Sequence, residues 1–136
     1  MSSEGKQCPV CGDAVHPLAQ YCKRCKRILD RVDMRRKPDR AARVEALKRA
    51  WDGECFRCYY SGARLVEDDH HSPRHLTFDH RTPRQENDVV VTAACLNDMK
   101  SDLTEAEFRA VVLELASAFQ GGRFDEGVLE LKHWKR

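Results

Sequence analysis

The run Leu76-Thr77-Phe78-Asp79-His80-Arg81, then Asp88-Val89-Val90-Val91-Thr92, then Asn97-Asp98-Met99-Lys100-Ser101-Asp102 sets the architecture of the chain. Two short segments rich in β-branched and aromatic residues, Leu76 to Phe78 and Val89 to Thr92, read as strands. Between them lies a polar loop containing Pro83, and after them the pattern turns helical from Ala93 to Lys100. Upstream, Phe56 to Tyr60 and Arg64 to Val66 read as two further strands, interrupted by Ser61-Gly62 and followed by a charged loop from Glu67 to Arg74. Downstream, a second helix starts at Thr104, whose hydroxyl can cap while Glu107 reaches back, with Leu103 and Phe108 as the flanking apolar pair. It runs through Val111, Val112, Leu115 and Phe119 until Gly121-Gly122 stops it. The tail from Arg123 to Arg136 carries Phe124, Val128, Leu129, Leu131 and Trp134, apolar enough to pack back as an edge element. The fold class expected is α+β.

Toward the N-terminus the chain changes character. Cys8-Pro9-Val10-Cys11-Gly12 is followed by Tyr21-Cys22-Lys23-Arg24-Cys25. Each Cys-x-x-Cys makes a tight knuckle with two thiolates aimed at one centre, and two knuckles complete a closed tetrahedral zinc site. The segment's larger apolar side chains are Val10, Val15, Leu18 and Tyr21, too few for a core, so metal binding is expected to supply the folding free energy. Structural Zn²⁺ on Cys8, Cys11, Cys22 and Cys25 is the expectation, in a module resembling a short zinc ribbon over about residues 7 to 28.

From Lys23 to Arg49 the chain holds 12 Lys or Arg against Asp30, Asp33, Asp39 and Glu45, a local charge of +8 within a total of +2. Such a block can neutralise backbone phosphates, although a solvated linker face reads the same way. Arg31 to Pro38 reads as a polar hinge, and Pro38-Asp39 opens a helix with Val44, Leu47 and Trp51 as its apolar stripe. Arg40, Arg43, Lys48 and Arg49 fall outside that stripe, and Arg40 and Arg43 are assigned to DNA. At 136 residues, three units are expected: residues 1–30 as ribbon, 31–53 as basic hinge and helix, and 54–136 as the catalytic unit with its helix and tail. No apolar run approaches a membrane span, and Met1 to Lys6 does not open a secretory signal, so an intracellular, cytoplasmic setting with thiols or metal ligands for cysteines is expected.

The chemistry suggested by Asp79, His80 and Asn97 is phosphodiester hydrolysis. Water must lose a proton near neutral pH and attack phosphorus while something absorbs the charge of the departing alkoxide. A neutral imidazole at a strand end suits the first task. One carboxylate and one amide oxygen suit Mg²⁺ or Mn²⁺ better than zinc, with the metal as Lewis acid. In regular strand geometry Asp79 and His80 point to opposite faces, so convergence requires a twist at the strand end. Arg81, Arg84 and Lys100 stand beside this centre as candidate DNA phosphate contacts, and salt bridges within the fold explain them almost as well.

Asp79-His80-x-x-Pro83 and Asn97-x-x-Lys100-Ser101-Asp102 resemble the HNH endonucleases, with their ββα-metal core, in the Asp-His/Asn version of RNA-guided nucleases and small phage-type enzymes. The resemblance covers roughly residues 54 to 108 and implies His80 as general base with Asp79 and Asn97 on the metal. The family's middle Asn, which orients the base, falls on Asp88, nine residues before Asn97. A carboxylate there can still accept from the imidazole N–H. Many family members carry two further Cys-x-x-Cys pairs. This chain has Cys55 and Cys58 but Ala93 and Leu96 at the second pair, with Cys95 between, so these three cysteines read as core or free thiols. His70, His71 and His75 read as surface-loop residues. Two other readings stay open: a non-catalytic HNH-like module that binds protein or nucleic acid, and a zinc-ribbon adaptor whose DNA binding is indifferent to His80.

Overall fold

A computed structural model describes residues 5–31, 39–83, 85 and 87–122. They form a small mixed α/β protein of four helices, α1 (Lys23–Leu29), α2 (Arg40–Ala50), α3 (Ala94–Lys100) and α4 (Glu105–Phe119), and one two-stranded sheet, β1 (Leu76–His80) with β2 (Val89–Ala93). The hinge residues 32–38, Arg84 and the tail 123–136 lie outside the described residues.

The strands pair antiparallel, from Leu76 opposite Ala93 to His80 opposite Val89. Val89, Val90, Val91, Thr92 and Ala93 are all buried, because α2 packs on β2 and α3 packs on both strands. Burial on both faces explains why the β2 sequence is a continuous apolar run rather than an alternation. The two earlier strands of the sequence reading are corrected to isolated bridges, Trp51 to Phe56, Arg57 to Arg64 and Val66 to His75. Their length is consumed by the turn at Ser61-Gly62, where the Gly62 amide bonds the Cys58 carbonyl at 2.8 Å and Gly62 sits at φ +74°. That turn favours glycine because its left-handed backbone strains a Cβ.

Helix α1 was not among the elements read from the sequence. Cys22 is its N-cap and its sulfur accepts from the Cys25 amide at 3.4 Å, so the second knuckle doubles as the helix start. Cys25, Ile28 and Leu29, spaced 3 and 4 apart, form its buried face. They belong to the same core as Val44, Leu47, Phe56, Leu76 and Val91, so one apolar cluster runs from the cysteine module into the sheet.

α4 begins as the sequence predicts. The Thr104 hydroxyl accepts from the Glu107 amide and the Glu107 carboxylate accepts from the Thr104 amide, both at 3.1 Å, with Leu103 and Phe108 buried beneath. Thr104→Ala is expected to cost about 1 kcal/mol in urea unfolding, with Thr104→Ser restoring most of it.

Candidate functional site

Two groups of chemically capable side chains emerge. The first is the thiol cluster: the sulfurs of Cys8, Cys11, Cys22 and Cys25 lie within 4.8 Å of one another, Cys11 and Cys22 at 3.6 Å. A tetrahedral ion with bonds near 2.3 Å places its sulfurs about 3.8 Å apart, so the spacing suits zinc. Burial works against the Cys8 thiolate, yet the amides of Cys11, Cys22 and Val10 and the Cys25 thiol bring its pKa down to about 7. Burial pushes the Cys25 thiol far upward, reinforced by the neighbouring sulfurs of Cys22, Cys11 and Cys8. The cluster can hold a structural metal such as zinc, whose charge would keep the four sulfurs as thiolates. Cys55 and Cys58 are buried outside that cluster, Cys58 Sγ accepting from the Ala93 amide at 3.4 Å, and Cys95 is exposed.

The second group surrounds the end of β1. Asp79 is buried at 6% exposure, and its Oδ2 lies 3.3 Å from the Lys100 ammonium and 3.2 Å from the Tyr60 hydroxyl that donates to it. Burial raises the Asp79 carboxyl above its ordinary range, opposed by Lys100 and Tyr60. The Tyr60 phenol is itself pushed far upward by burial and by the Asp79 charge, so it stays a donor. Lys100 also donates to the His80 carbonyl at 2.9 Å. One turn earlier on α3, Asn97 donates from Nδ2 to the Thr77 hydroxyl at 3.2 Å and the Phe78 carbonyl at 3.4 Å. Asn97 and Lys100 therefore meet the β1 face that carries Thr77 and Asp79. Tyr60 and Thr77 were not singled out in the sequence, where nothing in their neighbours marks them.

His80 occupies the last paired position of β1, half-buried, opposite Val89. In a regular strand neighbouring side chains alternate between faces, and His80 stays in electrostatic reach of Asp79. Asp88, expected to orient the base, has other partners for its carboxylate. Its Oδ1 takes the Arg81 guanidinium at 2.9 Å and its Oδ2 accepts from the Thr82 hydroxyl at 2.9 Å, so both oxygens are engaged by the loop after β1.

Two of the DNA assignments change, those of Lys100 and Arg43. Lys100 is 1% exposed and committed to Asp79, because a buried ammonium must sit beside an anion. Arg43 is buried at 5% and donates to the Leu29 carbonyl, fastening α2 to the end of α1, so it does not present its charge to a phosphate. Arg40 is partly exposed but pairs with Asp30 at 2.7 Å and lies over the Tyr21 ring. Arg81 spans Asp88 and, at 3.7 Å, Glu105. Arg84 is outside the described residues. Much of the basic block holds the fold together: Arg24 lies 4.9 Å over Trp51 and reaches Asp13 and Glu67, Arg31 donates to the Leu76 and Glu67 carbonyls, and Arg49 donates to the Val89 carbonyl at 2.9 Å. His75 is corrected from surface to buried, its Nε2 3.2 Å from Arg31, whereas His70 and His71 are exposed with rings 4.0 Å apart.

Among the described residues no helix is long and apolar enough to cross a membrane. Compared with family models, curated proteins and solved structures, the chain matches none, so the reading of both sites rests on their own residues.

Proposed function

We propose that β1, β2 and α3 form the centre of an HNH-type DNA endonuclease that nicks phosphodiester bonds, with His80 as general base and one Mg²⁺ or Mn²⁺ ion on Asp79 and Asn97. The observation that carries this reading is the strand-strand-helix order, in which Asn97 of the next helix meets the β1 face that carries Asp79, and His80 takes the adjoining position at the strand end. The donor set is compatible with a hard cation. The bonds to Asp79 from Tyr60 and Lys100 both fall on Oδ2, and Asn97 spends Nδ2 on β1, so Oδ1 of each stays uncommitted among the described residues. When bound, the ion supplies Lewis-acid stabilisation of the charge on phosphate and leaving group. His80 takes the proton of the attacking water from a half-exposed strand end. Arg81, partly exposed beside it, offers a cation to a flanking phosphate. The four-cysteine module braces this centre through the shared core.

Nicking of supercoiled plasmid with Mg²⁺, Mn²⁺ or EDTA tests the reading. His80→Ala is expected to reduce metal-dependent nicking by about a hundredfold or more at unchanged zinc content and melting temperature. A His80→Ala protein that nicks at the wild-type rate sinks it.

One observation favours a second reading. Lys100 already neutralises Asp79, and Asp88 is tied to Arg81 and Thr82, an arrangement that suits a non-catalytic scaffold binding nucleic acid or protein. That reading predicts plasmid retardation on a gel, unaffected by His80→Ala, without relaxation in any metal.

A further inference from the structure

We propose that Arg57, Arg64 and Arg74 form a docking site for the phosphate backbone of duplex DNA, outside the basic block of residues 23–49. Arg57 and Arg64 stand directly opposite each other in an antiparallel bridge. The bonds on either side run from the Leu65 amide to the Phe56 carbonyl and from the Cys58 amide to the Ala63 carbonyl, both at 2.9 Å. The two arginines are therefore a non-hydrogen-bonded pair, in which side chains share a face and approach most closely. Arg74 joins them from the neighbouring segment, its Nη1 donating to the Arg64 carbonyl at 3.3 Å. All three residues are exposed.

Like charges directly opposite destabilise a strand pair, so the protein alone gains nothing from this arrangement. The nearby anions do not cancel it. Asp52 takes Arg57 Nε at 2.8 Å and also accepts from the Glu54 and Cys55 amides, and the Glu54 carboxylate lies in electrostatic reach of Arg57. Glu67, in electrostatic reach of Arg64, stands 3.5 Å from Arg24. Among the described residues no hydrogen bond or ion pair engages the Arg64 guanidinium, and Arg74 meets a backbone carbonyl and no carboxylate. The basic block is spent differently: Arg24 pairs with carboxylates, and Arg31, Arg43 and Arg49 donate to carbonyls of the fold.

A guanidinium fork matches the oxygens of a phosphate, and a duplex repeats its phosphates about every 3.4 Å of axis along each strand, so neighbouring arginines can take successive phosphates. The position also suits the candidate centre. Arg57 precedes Tyr60 by three residues, a span of at most about 11 Å, and the Tyr60 hydroxyl reaches Asp79. One turn of duplex, about 34 Å, covers both places. The choice of DNA as the anion rests on the function proposed above; the grouping of three cations does not.

Anisotropy of a labelled 20-base-pair duplex, titrated with the full zinc-loaded chain in buffer without Mg²⁺ or chelator, tests the site apart from cleavage. Arg64→Gln combined with Arg74→Gln is expected to weaken binding about tenfold or more at 0.1 M salt and to flatten the slope of log Kd against log salt by about two. Lys26→Gln with Lys48→Gln, which removes two cations of the basic block, is expected to change affinity less than about threefold. If the arginine pair fails to fold, Arg64→Gln alone decides, with a slope change of about one. Wild-type affinity and slope in the arginine variants overturn the proposal. So does an equal loss in the lysine variant, which would mean diffuse attraction, or a wild-type chain that binds no duplex at low salt. Arginine-dependent binding by a chain that relaxes no plasmid upholds the docking site and removes only the nuclease reading.

Discussion

Replacing Cys25 by Ser, or chelating the metal that the four-cysteine cluster can hold, is expected to unfold the sheet along with the N-terminus in one transition. Cys25 is fully buried, and it shares a core with Ile28, Leu29, Leu47, Phe56, Leu76 and Val91. Polar links run the same way: Arg24 over Trp51, Arg31 to the Leu76 carbonyl, Arg43 to the Leu29 carbonyl. A structural zinc contributes about 10–16 kcal/mol in small peptides, and a domain of this size has only about 5–15 kcal/mol in total. A module coupled through a continuous core cannot lose that contribution privately. The measurement is exchange protection of β1 and β2 amides, followed while a chelator removes zinc. Coincident loss at the two places is the expected result. Protection of Phe78 and Val91 that survives complete zinc release would show the module to be an appendage.

The difference between appendage and brace also marks what was legible in the sequence. β1, β2, α3 and α4 were readable because their signals are local: a β-branched run, a change of period, a capping box. The thiol cluster was readable because ligand spacing is a short-range property. The charged residues were not. Arg43, Lys100 and Arg31 resemble solvent-facing cations in any window of sequence, and their burial is decided by carbonyls and carboxylates tens of positions away, such as Leu76 for Arg31. The bonds of Asp88 were hidden for a related reason, since its partners Arg81 and Thr82 lie across the loop after β1. Helix α1 was legible in principle, from the spacing of Cys25, Ile28 and Leu29, but the knuckle reading of the same cysteines obscured it.

Lys100→Met is expected to be the most damaging substitution outside the thiol cluster. Methionine matches the length and removes the charge, leaving Asp79 buried beside Tyr60 without its cation. Removing one partner of a buried pair costs about 3–5 kcal/mol, whereas replacing both by apolar groups is often neutral. Lys100→Met combined with Asp79→Leu should therefore recover much of the loss, which identifies an uncompensated charge as the cause. The pH dependence follows from the same carboxyl. Burial already raises it in the folded state, and loss of Lys100 raises it further. A carboxyl whose folded pKa exceeds its unfolded value of about 3.9 binds protons more tightly when folded, so the variant's deficit is full above the folded pKa and shrinks as pH falls through it. Divalent ions supply the remaining contrast. If Asp79 and Asn97 hold the metal, millimolar Mg²⁺ restores part of the melting temperature of Lys100→Met, because an ion that binds only the folded state stabilises it by mass action. The same Mg²⁺ should leave the double variant unmoved. A Lys100→Met protein indifferent to Mg²⁺ and Mn²⁺ would mean that Asp79 serves Lys100 alone, and the balance would pass to the scaffold reading.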